Sequence, residues 1–200
     1  MFRNILKFAG TALLATAAAS VSAQSIYNAA NHDYRVVTVA DDLVQPWSMA
    51  WLPDGDMLIT EKPGRLRIVR DGNLLPEAIP GVPEVFYEGQ GGLFDVLPHP
   101  DFDENRWVYL TYSKKTADSS ATAIARGRLE NDRLTNVVEI FEAQASGFGH
   151  YGGKIVIDIN GYIFFTLGDR MAPPIGDEDA LRAHPAQDRS NHQGVVVRLN

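Results

Sequence analysis

The chain has 200 residues with a formal net charge of −7, is 45% apolar and 22% charged, and contains no cysteine. An acidic balance argues against nucleic acid as a partner, because phosphate binding needs a basic surface. The apolar fraction supports a packed core rather than disorder, and without cysteine neither a disulfide framework nor a thiolate metal site can form.

The amino terminus reads as a secretory signal peptide. Arg3 and Lys7 make a basic start, Phe8 to Ala19 an apolar stretch, and Val21-Ser22-Ala23 a small-residue cleavage signal. Cleavage is expected after Ala23, which leaves a periplasmic or secreted protein. The apolar run is too short for a hydrocarbon layer of about 30 Å. No other window is long enough, so no membrane span is expected in the mature chain. Residues 24–34 are polar and read as a linker, and residues 35–200 as the first half of a catalytic domain, incomplete by itself.

Arg35 to Ala40 is rich in β-branched residues and reads as a strand. Trp47 to Leu52 and Asp56 to Thr60 flank Pro53-Asp54-Gly55, a hairpin signal in which Pro presets φ and Gly accepts positive φ. The pattern recurs. Leu93 to Phe102 leads into Trp107 to Thr111, and Lys154 to Asn160 leads through Gly161 into Tyr162 to Thr166. The three Thr residues that close these units, Thr60, Thr111 and Thr166, are 51 and 55 residues apart. An alternating strand with Arg follows each unit: Arg65 to Val69, Thr122 to Leu129 and Gly194 to Leu199. These are expected as outer edge strands with outward-facing Arg.

A repeat of about 40–50 residues with several strands each is the signature of a β-propeller. The expected fold is therefore all-β, with about three four-stranded blades. Rings of this type close with about 4–8 blades, so the chain is expected to be the amino-terminal half of a longer propeller rather than part of an assembly of half-rings. No segment shows a convincing helical period, although Ala180 to His184 could form one turn. The acidic, Pro-rich stretch from Met171 to Asp188 reads as a surface loop over the axis.

Four clusters could carry chemistry: Gly89-Gln90-Gly91-Gly92, Gly149-His150-Tyr151-Gly152-Gly153, Gly168-Asp169-Arg170, and Ala186 to Gly194 with Gln187, Asp188 and His192. Gln90 and His150 precede the innermost strands of successive units, which places both at the mouth of the central channel. Asp169 ends the strand that pairs with the His150 strand, so the two side chains are expected within reach. A carboxylate on one imidazole nitrogen fixes the tautomer and raises basicity at the other, which suits removal of a proton from an alcohol. Asp101, Asp103 and Glu104 lack EF-hand spacing and read as a solvated turn. His99, His184 and His192 lack the spacing of a metal triad. The glycine runs do not precede helices, which weighs against nicotinamide or flavin nucleotides.

At these residues the chain resembles the glucose/sorbosone dehydrogenase family, the soluble quinoprotein aldose sugar dehydrogenases. The matching stretches are Gln45-Pro46-Trp47, Pro53-Asp54-Gly55 with Thr60-Glu61, Gly89 to Leu93 with His99 to Phe102, Gly149 to Gly153, Thr166 to Arg170, and Ala186 to Gly194 with Arg198-Leu199-Asn200. They stand in family order over nearly the whole mature chain. The resemblance implies a six-bladed propeller with pyrroloquinoline quinone (PQQ) on the axis and calcium coordinating it. It implies His150 as the base toward the anomeric hydroxyl of an aldose, Asp169 as its support, and Gln90 and Arg170 as cofactor-binding residues. An external electron acceptor is implied as well. No metal ligand is assigned within these residues; the calcium ligands and the basic grips on the cofactor carboxylates are expected in the other half.

Two departures stand out. Gly149 occupies a position that is acidic in the strictly glucose-type enzymes, which favours the broader aldose-type branch, and Val195 replaces a usual Lys. Competing readings are a calcium-dependent lactone hydrolase and a non-catalytic binding propeller.

Overall fold

The structure, a computed structural model, describes residues 26–172 and 176–200. The expected signal peptide lies outside these residues, as do Pro173 and Pro174. The chain divides into two compact units, one ending at Thr38 and one running from Val39 to Asn200. In the first, β1 (Ile26–Tyr27) and β2 (Tyr34–Arg35) pair antiparallel, and the Tyr27 and Tyr34 rings stack at 5.4 Å. The segment expected as a linker thus carries a small hairpin. The strand expected over Arg35 to Ala40 does not extend past Arg35. Its β-branched residues have the propensity but no neighbouring strand to complete a ladder.

The second unit holds three antiparallel sheets. The first comprises β3 (Pro46–Trp51), β4 (Met57–Glu61), β5 (Arg65–Arg70) and β6 (Asn73–Leu74). The second comprises β7 (Leu93–Pro98), β8 (Trp107–Lys115), β9 (Ser120–Glu130) and β10 (Arg133–Ser146). The third comprises β11 (Gly152–Ile157), β12 (Ile163–Leu167) and β13 (Val195–Leu199). Each is a meander of sequential neighbours, and together they form three blades of a β-propeller. The third has three strands among the described residues rather than four. In the first two blades the strand expected at the edge is third of four, and β6 or β10 lies outside it. Among the described residues, helix is confined to α1 (Phe102–Asn105), α2 (Glu178–Ala183) and a 3-10 turn at Pro185–Gln187. Asp101 to Glu104, expected as a turn, therefore begins a helical turn. Among the described residues no helix is long and apolar enough to cross a membrane.

The blades pack face to face, and the middle one is buried on both sides. Val108, Leu110 and Tyr112 of β8, with Ala123 and Ala125 of β9, join Leu58, Leu66 and Ile68 in one core. The intervening Tyr109 and Ile124 point the other way, into a second core with Ile155, Ile163 and Phe165. Period-2 alternation thus serves two cores at once, which is why β8 and β9 read as nearly continuous apolar runs.

The first strands of the blades, β3, β7 and β11, lie side by side at the inner edge. Hydroxyls of the repeated Thr residues fasten them. Thr60 Oγ1 accepts from Ser48 N–H at 2.9 Å and donates to the Phe94 carbonyl of the next blade at 2.6 Å. Thr111 Oγ1 repeats the pattern, accepting from Asp95 N–H at 2.9 Å and donating to Gly153 C=O at 2.6 Å. Thr166 Oγ1 accepts from Lys154 N–H at 2.9 Å and turns its own proton back to the Lys154 carbonyl. Ser48, Asp95 and Lys154 therefore occupy equivalent positions, and their side chains meet. The buried Asp95 carboxylate accepts from Ser48 Oγ at 2.5 Å, Lys154 Nζ at 3.0 Å and Ile155 N–H at 3.0 Å, tying all three blades.

Not every Arg after the repeats faces outward. Arg67 is 9% exposed and turns in toward Glu61 and the Leu75 carbonyl. Burial alone would raise the Glu61 carboxyl. Hydrogen bonds from Arg65 and from Val44 N–H, with the charges of Arg65 and Arg67, outweigh burial and hold it below the usual range.

Candidate active site

Two glycine-flanked loops meet at the inner edge, one leading into β7 and one into β11. The His150 backbone N–H donates to Gln90 Oε1 at 2.8 Å, which joins the loops at their tips. At their bases, Asp95 and Thr111 join the strands the loops lead into. Because Oε1 is taken by a backbone donor, the Gln90 amide NH₂ is left to donate outward. Lys62, just past β4, donates from Nζ to the Gly89 carbonyl at 2.8 Å and so holds the Gln90 turn from the other side.

His150 Nδ1 and Asp169 Oδ1 are 2.6 Å apart. An ionised carboxylate can only accept, so Nδ1 carries a proton, and in the neutral imidazole the lone pair then lies on Nε2. The hydrogen bond from His150 does most to hold the Asp169 carboxyl below its ordinary value; partial burial opposes it and the Met171 N–H reinforces it. Asp169 is itself placed by its backbone, with its carbonyl accepting from Gln193 Nε2 at 3.1 Å and Gly168 C=O accepting from Gly194 N–H at 3.0 Å. A side chain at Gly168 would overlap the His150 carbonyl, so only glycine lets the Asp169 strand end so close to the base. His150 itself has φ +43°, the left-handed region rarely used by residues with a side chain.

A cavity of about 300 Å³ opens against these groups, lined by Trp47, Lys62, Gln90, Phe94, His150, Tyr151 and Gly152. Trp47 and Tyr151 pack on Phe94 at 5.6 and 5.3 Å between ring centroids, giving an aromatic wall. Below it, a second cavity of about 430 Å³ runs down to Ser48, Asp95, Lys154 and Thr166, sharing Trp47 and Gly152 with the first.

The structure thus brings together His150, Asp169 and Gln90. Arg170, expected as a cofactor contact, stands apart from them. Arg170 is 4% exposed, does not line the cavity, and bonds backbone carbonyls instead. Sequence reasoning missed Lys62, Phe94 and Tyr151 as cavity walls, and it missed Asp95. Asp95 left a signal, a lone acid in the otherwise apolar run Leu93-Phe94-Asp95-Val96-Leu97. The remaining described imidazoles of the blades have local tasks. His99 Nδ1 accepts from Asp101 N–H, His184 Nδ1 from Ala186 N–H, and His192 Nδ1 from Gln144 N–H.

The Glucose / Sorbosone dehydrogenase family profile matches residues 43–200. The chain belongs to that family. Aldose sugar dehydrogenase YliI of Escherichia coli (strain K12) is 39% identical over 170 residues, covering 82% of this chain and 43% of that protein. The apo-form crystal structure of the soluble aldose sugar dehydrogenase from Escherichia coli superposes with a TM-score of 0.72 at 37% identity, over 81% of this chain and 46% of that one. The PQQ-bound aldose sugar dehydrogenase from Streptomyces coelicolor shares the fold, with a TM-score of 0.68 at 24% identity over 82% of this chain and 47% of that one. The chain therefore spans about half the length of the glucose/sorbosone dehydrogenase relatives it matches.

Proposed function

We propose that the protein containing this chain is a quinoprotein oxidoreductase that oxidises the anomeric hydroxyl of aldose sugars to lactones, with His150 as the base. The observation that carries this reading is the His150–Asp169 bond of 2.6 Å beside an aromatic cavity. Nε2 of His150 takes the hydroxyl proton while hydride leaves the same carbon. Asp169 stabilises the imidazolium that forms, and Gln90 NH₂ offers a donor to a substrate or cofactor oxygen.

The residues present suit PQQ on this side of the cavity. Trp47, Phe94 and Tyr151 give an apolar wall for a flat conjugated ring, and Gln90 and Lys62 give donors for its oxygens. When bound, PQQ would supply the two-electron acceptor for that hydride, with an external acceptor needed to reoxidise it. Every other role falls to side chains: Gln90 and Lys62 orient, the aromatic wall excludes water, and His150 moves the proton. For calcium, no group of three or more His, Asp or Glu suited to a metal exists among the described residues. The basic, apolar and small-residue order of the first 23 residues supports export, which amino-terminal sequencing of the mature protein checks.

The decisive measurement is steady-state aldose oxidation by the full-length protein that contains this chain, with an artificial acceptor. His150→Ala is expected to depress turnover by about 10²–10⁴-fold with cofactor binding little changed. Near wild-type turnover at saturating PQQ would remove His150 from the chemistry.

A further inference from the structure

We infer that Arg170 is a positioning residue for the base, acting through the backbone of the loop that carries His150; the inference rests on the reading of His150 given above. Arg170 Nη1 donates to the Gly149 carbonyl at 2.6 Å. Nη2 donates to the Ser120 carbonyl at 3.1 Å and to the carbonyl of Gly147. The guanidinium lies over the Tyr151 ring, 3.7 Å from its centroid. One side chain thus grips residues 147, 149 and 151, on both sides of His150, and anchors them to the start of β9. The residue before it, Asp169, holds the imidazole itself. The dipeptide Asp169-Arg170 controls the base twice, once at the ring and once at the backbone.

This arrangement is costly, which argues that it has a purpose. A buried cation usually takes a carboxylate partner. Arg170 takes backbone carbonyls instead, and its Nε is buried without a partner. Burial pulls its guanidinium below its ordinary basicity. In return the loop holds a conformation it would not keep alone. A non-glycine residue in the left-handed region is strained and persists only where its surroundings over-determine it. His150 is in that region, at φ +43°. Arg170 fixes the peptide groups before it and the aromatic ring after it. Ser120 supports the same loop, with Oγ 2.7 Å from the Gly147 carbonyl and 2.6 Å from the Tyr151 hydroxyl.

The test compares Arg170→Lys and Arg170→Met with wild type in the full-length protein that contains this chain. It measures kcat, KM, the PQQ dissociation constant by tryptophan fluorescence, and Tm. A lysine keeps the charge but cannot span three carbonyls, and methionine removes the donors. Both variants are expected to lose about 10²-fold in kcat, the scale of a misplaced catalytic group, with KM and the PQQ dissociation constant within about threefold of wild type. A parallel rise in the PQQ dissociation constant would make Arg170 a ligand contact and overturn the inference. A lower Tm with unchanged kcat would make it scaffold only, and overturn it equally. If neither variant folds, Ser120→Ala loosens the same loop more gently; it should lower kcat about 3–10-fold at unchanged KM, and an unchanged kcat there would count against the inference. His150→Ala in the same assay separates the two readings. If it retains turnover, the base assignment fails; if it is inactive while Arg170→Lys is normal, only the positioning role fails.

Discussion

At the scale of single residues, the base is defined by what its neighbours leave free. Asp169 accepts a hydrogen bond from Nδ1 and Gln90 one from the backbone N–H, so of the ring nitrogens Nε2 is the one left for a ligand. Asp169→Asn keeps an acceptor for Nδ1 but removes the charge that stabilises imidazolium. Turnover is expected to fall by about 10–10²-fold while PQQ still binds, and a variant as fast as wild type would refute the pairing. Because the Asp169 pKa is lowered, its support is fully present above the ordinary carboxylate value and disappears only as pH falls through the lowered one. Acid loss of activity at milder pH therefore does not come from Asp169. At Gly149, even a Cβ would overlap the Met171 sulfur and approach Gln90 Cδ to 3.3 Å. An acidic side chain there would have to displace Met171. His150, Asp169 and Gln90 were legible because glycines and the repeat register mark them. Arg170 was not, since nothing in Gly168-Asp169-Arg170 shows that its side chain folds back under the loop.

Among the elements, the repeated hydroxyl is the clearest device. Thr111→Val should leave the buried Gly153 carbonyl and Asp95 N–H without their partner, at about 1–3 kcal/mol. Thr111→Ser should recover most of it, and chemical denaturation of the three proteins decides the matter; equal stability of Val and Ser would show that the hydroxyl contributes nothing. Strands with strict alternation and a Pro-Asp-Gly or Asn-Gly turn were readable in advance, because turn chemistry and pleat agree there. The outermost strand of the middle blade, β10, was not. It pairs with β9 through three register shifts, which scramble its period, so Arg133 to Ser146 carries no clean two-residue pattern. The inward turn of Arg67 was hidden for another reason. Its partner, Glu61, lies on the neighbouring strand, and only the sheet brings the two charges together.

For the molecule as a whole, the middle blade is covered on both faces and the outer two are not. Trp47, Met49 and Trp51 alternate along β3 at 53%, 60% and 60% exposure, and Val156 and Val196 on the third blade are exposed at 48% and 64%. Apolar surface of this extent marks an interface or an aggregation liability. The 200-residue chain expressed by itself is expected to self-associate and to show no PQQ-dependent dye reduction; a monodisperse, active preparation by light scattering and dye assay would contradict this. The threonine ties also have a direction. Thr60 reaches a carbonyl 34 residues further on, and Thr111 one 42 residues further on. In both, the hydroxyl belongs to the earlier sheet and the acceptor to the later one. A ribosome makes the donor first and the acceptor several seconds afterwards, at synthesis rates of about 5–20 residues per second. In both ties the donor thus precedes its acceptor along the chain, so each sheet is fastened to the one that follows it by a hydroxyl that is already part of the chain when the acceptor strand is made.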